Sequence, residues 1–93
     1  MELNEEQEKI LRQLTAVYPL EIEVRRYFML TRPDPILNGN LDTLDKLGLV
    51  QVDWERTFDG GDRDAITAKA TELGVGFIAE EESRSEATKI QGY

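Results

Sequence analysis

The stretch "KLGLVQVDWERTFDGGDRDAITAKATELG", residues 46–74, reads as a helix end, a strand, a polar loop, a returning strand and a new helix start. Gly48 follows the last leucine of a helical series and suits the position just past a helix, because glycine enters the left-handed conformation at no steric cost. Val50, Val52 and Trp54 alternate with Gln51 and Asp53, the period of two expected of a half-buried strand. Residues 55–63 hold Gly60-Gly61 among polar neighbours and read as a loop. Residues 64–70 read as the return strand, with Ile66, Ala68 and Ala70 on one face. Thr71-Glu72-Leu73-Gly74 opens a last short helix, in which Leu73, Phe77 and Ile78 are available to pack.

Upstream of that stretch the pattern is helical. A first helix is expected over about residues 5–18. Asn4 supplies its N-cap, and Gln7 three residues on completes a capping box. The acidic first turn favours the positive end of the helix dipole, and Ile10, Leu11, Leu14, Val17 and Tyr18 share one stripe. Pro19 ends it. A second helix is expected over about residues 20–30, with Leu20, Val24, Tyr27, Phe28 and Leu30 inward and Arg25 and Arg26 outward. The β-branched Ile22 and Val24 leave a short strand as the alternative there. "TRPDP", Thr31–Pro35, is a forced turn, since each proline bars its predecessor from helix. A third helix follows over about residues 35–47, with Leu37, Leu41, Leu44 and Leu47 at helical spacing.

The 93 residues make one domain's worth of chain. The formal charge is −8. It divides as −2 over residues 1–19, −1 over 20–48, −2 over 49–71 and −3 over 72–93, so the middle is nearly balanced and both ends are acidic. No apolar run approaches a membrane span, and the acidic first residues resemble no secretory signal, so a cytoplasmic protein is expected. With no Cys and no His there is no disulfide framework, thiol nucleophile, Cys/His zinc site or imidazole base. "DGGDRD", Asp59–Asp64, lacks the ligand order of a calcium loop. "GVGF" lacks the glycine pattern of a phosphate cradle. Glu80-Glu81-Glu82 falls in a polar segment with no pocket to shift its ionisation. No enzyme and no cofactor are expected. From Glu80 onward no apolar face recurs, so residues 80–93 are expected to form a disordered tail behind a domain of residues 1–79.

Three helices, a two-stranded hairpin and a further helix make an α+β order that resembles a winged helix-turn-helix domain. "LDTLDKLGLVQVDW" resembles the end of the recognition helix and the first wing strand in bacterial regulators of the MarR and PadR type. "DRDAITAKATELG" resembles their wing return. The matching residues are Leu41, Leu44, Gly48, Leu49, Val50, Asp62, Arg63, Ile66, Thr71 and Gly74, within a resemblance covering about residues 6–79. The chain has no length for the additional dimerisation helices of those families. Its wing segment, Asp53–Asp64, carries five acids against Arg56 and Arg63.

The resemblance implies a DNA-binding transcriptional regulator of bacterial or phage type, with the third helix in the major groove of double-stranded DNA. Asn38, Asn40, Thr43 and Lys46 are then the groove-facing candidates. Asn suits a bidentate contact to adenine, and Thr suits a thymine methyl. Arg25, Arg26 and Arg32 are candidates for phosphates, and Arg56 for a flanking backbone or minor groove. The structural alternatives are that Asn38 and Asn40 cap the third helix and that Arg25 and Arg26 pair with Glu21 and Glu23. The other functional reading is an acidic winged-helix docking module for a basic protein partner, in one variant a DNA mimic or inhibitor. Phe58 and Trp54 are its aromatic anchors, unless Trp54 packs under the hairpin. A lone small reader seldom binds tightly, so a homodimer through the first or last helix is a further expectation.

Overall fold

A computed structural model describes residues 2–56 and 63–91. It is α+β, with the order α1 (Glu5–Ala16), β1 (Ile22–Glu23), α2 (Val24–Tyr27), α3 (Pro35–Lys46), β2 (Val50–Arg56), β3 (Arg63–Ala70) and α4 (Glu72–Gln91). The three strands form one antiparallel sheet in the order β1-β3-β2.

The local signals at α1 produce what their chemistry requires. The Asn4 side chain accepts from the Gln7 N–H at 2.8 Å, and the Gln7 side chain accepts from the Asn4 N–H at 3.2 Å, so both cap donors are satisfied. Ile10, Leu11 and Leu14 are buried. In α3, Leu37, Leu41 and Leu44 are buried beside them, and Leu49, Val50, Val52, Ala65, Ala68 and Ala70 close the same core from the sheet. Asp34, rather than Asn38 or Asn40, caps α3: its side chain accepts from the Ile36 and Leu37 N–H groups at 3.0 and 3.2 Å. Pro35 follows at the first helical position, where its missing N–H costs nothing.

The segment read as one helix over residues 20–30 divides. Ile22 and Glu23 pair with Ala68 and Thr67 as an edge strand, and a single helical turn follows. Pairing with β3 satisfies backbone groups that a helix start would leave open, and it suits a β-branched Ile22. Val24 is buried, but Leu20 and Tyr27, expected inside, are exposed. The turn closes with the Met29 N–H on the Arg26 carbonyl oxygen and the Leu30 N–H on that of Arg25, at 3.3 and 2.8 Å. This is a Schellman closure. Its left-handed position holds Met29, at φ 54°, where glycine is usual.

The hairpin departs from simple alternation. Val52 pairs with Ala68 and Asp53 with Thr67, but Trp54 pairs with Ala65, so Ile66 is an extra residue on β3. A bulge of this kind shifts the inward-facing position by one residue where it occurs. Ala65 is therefore buried, and Ile66, expected on the inner face with Ala68 and Ala70, is 46% exposed.

α4 continues to Gln91 across the segment whose composition suggests a disordered tail. Thr71 starts it: its hydroxyl donates to the Gly48 carbonyl oxygen at 2.6 Å and accepts from the Gly74 N–H at 3.1 Å. Ile78 is buried and Val75 and Phe77 pack against the core, whereas Leu73 is exposed. Glu80, Glu81 and Glu82 are good helix formers and extend a helix already nucleated on the core. Arg12 on α1 reaches Glu82 at 3.3 Å. No helix among the described residues is long and apolar enough to cross a membrane.

Candidate functional site

α3 has an inner leucine face, a flank toward the hairpin and an outward face. The outward face carries Ile36, Gly39, Thr43 and Lys46, all exposed. These positions fall on one stripe by helical spacing. There is no carboxylate on it.

The two acids of α3 lie on the hairpin flank. Asp42 accepts from Lys46 Nζ at 2.9 Å and from Arg63 on β3 at 3.0 Å. Asp45 accepts from Trp54 Nε1 at 3.3 Å. The Arg63 guanidinium lies 4.9 Å from the centroid of the Trp54 ring, in cation–π range. Trp54 is thus half-buried against the core, with its N–H satisfied. A cleft of about 430 Å³ runs along this flank, lined by Pro33, Pro35, Gly39, Asp42, Trp54 and Arg63 among others.

Two of the expected DNA contacts, Arg25 and Asn38, converge on one buried carboxylate. Arg25 meets the Asp64 carboxylate at 2.8 and 3.2 Å, and the Asn38 amide donates to the other Asp64 oxygen at 3.2 Å. The Asn38 side-chain oxygen in turn accepts from the Ala65 N–H at 3.4 Å. Asp64 is buried, so it needs these partners: an ionised carboxylate removed from water is stable only when paired and hydrogen-bonded. Arg25 therefore pairs with Asp64, 39 residues away, and not with Glu21 or Glu23. Asn40 accepts from the Gln7 amide at 3.4 Å, joining α1 to α3.

The remaining candidates lie on different elements. Thr43 is exposed, and its hydroxyl donates to the Gly39 carbonyl oxygen at 3.2 Å. Arg26 is exposed, with Glu23 4.0 Å away. Arg32, in the α2–α3 turn, is exposed. Arg56 ends β2, but its side chain, like all of Phe58, lies outside the described residues. Sequence reading missed Asp64 as the joint of this region and Arg63 as a member of it. Neither carries a local signal, since the partners are distant in the chain.

Among the described residues no group of three or more acidic, His or Cys side chains could hold a metal ion. No family model, curated protein or solved structure gives a significant match to the chain.

Proposed function

We propose that this chain is a winged-helix protein that binds double-stranded DNA as a small transcriptional regulator, with α3 entering the major groove and the β2–β3 hairpin as its wing. The element order and the β1-β3-β2 sheet fit that architecture. One observation carries the functional part. The acids that make α3 look hostile to DNA lie toward the hairpin, Asp45 on Trp54 and Asp42 between Arg63 and Lys46, so Ile36, Gly39 and Thr43 meet a base edge without a carboxylate and Lys46 does so with its charge shared with Asp42. Arg26, Arg32 and Arg56 are left as phosphate contacts. Arg25, Asn38 and Asn40 serve the fold in this reading, and specificity rests on Thr43 and Lys46 with Ile36 and Gly39 beside them.

The test is selection of duplexes from a random DNA library at low salt, followed by an NMR titration with a recovered duplex. Enrichment of one motif is expected, with amide shifts centred on residues 36–46 and in the α2–α3 turn. An unenriched pool with no shifts on α3 would falsify the reading.

A second reading is docking of a basic protein segment along the hairpin flank. It is supported by the cleft, where Trp54 and two prolines lie beside Asp42. Titration with an arginine-rich peptide separates the two: shifts at Trp54 Nε1–H and Asp42, and none at Ile36 and Thr43, favour docking.

A further inference from the structure

We infer that Gly39 marks the seat of a thymine 5-methyl group on α3, an inference that rests on the DNA reading above and adds a base preference to it. Glycine weakens a helix interior relative to alanine, so an internal glycine calls for a reason. At Gly48 and Gly74 the fold supplies one. Gly48 has φ +79°, and a Cβ on Gly74 would run into the Leu49 carbonyl oxygen. At Gly39 in α3 and Gly76 in α4 the fold supplies none, since neither φ is positive and an added Cβ would meet nothing within 4 Å. Gly76 is followed one turn on by the acid Glu80, whereas Gly39 has Ile36 and Thr43 as its neighbours on the helix surface. At Gly39 the missing side chain serves no neighbour among the described residues.

Its surroundings point outward. Ile36 lies three residues before it and Thr43 four after, so the three are adjacent on the helix surface. Ile36 is 76% exposed. The Thr43 hydroxyl is already committed to the Gly39 carbonyl oxygen, which leaves its methyl group as the free end of the side chain. The result is a shallow apolar seat: an isoleucine on one side, a threonine methyl on the other and bare backbone between. In the major groove the distinctive apolar feature of a base pair is the thymine methyl, and threonine and small apolar side chains are its usual contacts. A floor without Cβ lets that methyl approach the helix closely.

The experiment uses the full chain and the duplex recovered by selection, with each thymine replaced in turn by deoxyuridine, which lacks only the methyl. At one position of the motif the replacement is expected to weaken binding about three- to fivefold, the worth of one buried methyl. Gly39→Ala is expected to raise the thermal midpoint by about 4–8 °C and yet weaken binding to the thymine duplex about tenfold by overpacking. On the deoxyuridine duplex at that position, Gly39→Ala should regain most of this loss, because its methyl occupies the vacated space. Gly76→Ala on α4 is the control. Its Cβ also meets nothing, so it should stabilise similarly and leave affinity unchanged. Equal binding of every deoxyuridine duplex, or a Gly39→Ala penalty that is absent or the same on all of them, overturns this inference alone. An empty selection overturns the DNA reading and takes this inference with it.

Discussion

Gly74 and Met29 are opposite cases of backbone and side chain in conflict. Gly74 sits where α4 crosses the start of β2, and besides the Leu49 carbonyl oxygen an added Cβ would press on Leu11 Cδ1 at 3.1 Å. Backbone does not yield as a side-chain tip does, so Gly74→Ala is expected to cost about 3 kcal/mol, at the upper end of ordinary overpacking. A shift of the urea midpoint measures it, and a loss under about 0.5 kcal/mol would show that α4 is free to slide on Leu49. Met29 is the reverse: a side chain 87% exposed on a left-handed backbone. No buried contact repays the roughly 1–2 kcal/mol that a Cβ costs in that conformation. Met29→Gly should therefore stabilise by about 0.5–1 kcal/mol, since the freer unfolded chain offsets part of the gain. A lower thermal midpoint in that variant would mean the Schellman closure is not what holds the end of α2.

At the scale of elements, the Asp64 carboxylate fastens α2 and α3 to β3. It accepts from Arg25 and Asn38 while itself buried, whereas the Arg25 side chain is 53% exposed. That asymmetry fixes the order of mutational effects. Asp64→Ala releases a guanidinium that water can solvate and is expected to cost about 2 kcal/mol. Arg25→Ala strands a buried charge with only the Asn38 amide for support, so it should cost at least as much. Adding Asp64→Asn to Arg25→Ala should then recover stability, because the stranded charge is gone. Chemical denaturation of the single and double variants gives the coupling. Additive losses would mean that Arg25 acts elsewhere, a phosphate contact included.

The whole molecule carries a charge of −8, and that limits how it would hold DNA under the proposed function. With Arg25 committed to Asp64, and Arg63 to Asp42 and the Trp54 ring, the cations counted for phosphate are Arg26, Arg32 and Arg56, with Lys46 as a fourth if it exchanges its exposed pair with Asp42 for a phosphate. Four released counterions correspond to a slope of about −3.6 in log affinity against log salt, well short of strongly salt-dependent binders. Fluorescence anisotropy between 50 and 200 mM salt is expected to return a slope near that value, which Lys46→Ala reduces by about 1 if Lys46 contacts phosphate. A slope of about −5.4, that of six cations, would require the two paired arginines to let go of their carboxylates. A small slope with retained sequence preference would put the affinity in the apolar stripe.

What could be read from the chain alone was much of what neighbours a few residues apart govern, though the cap at Asp34 was not among it. The Asn4–Gln7 capping box, the leucine spacing of α3, the glycine after it, and the alternation through Val50 and Val52 each depend on contacts within one turn or one strand, so their signals are local. The α+β order follows from them. Tertiary structure decided whatever depends on pairing across the chain. Ile22 and Glu23 became strand because Thr67 and Ala68 were there to pair with. Ile66 left the core because β2 and β3 meet with one residue unmatched. Residues 80–91 stayed helical behind a first half anchored by Ile78. Most consequential for function, Arg25 and Asn38, which look like free recognition residues, were drawn inward by Asp64, because a buried carboxylate takes the nearest donors in space, however far apart they stand in the chain.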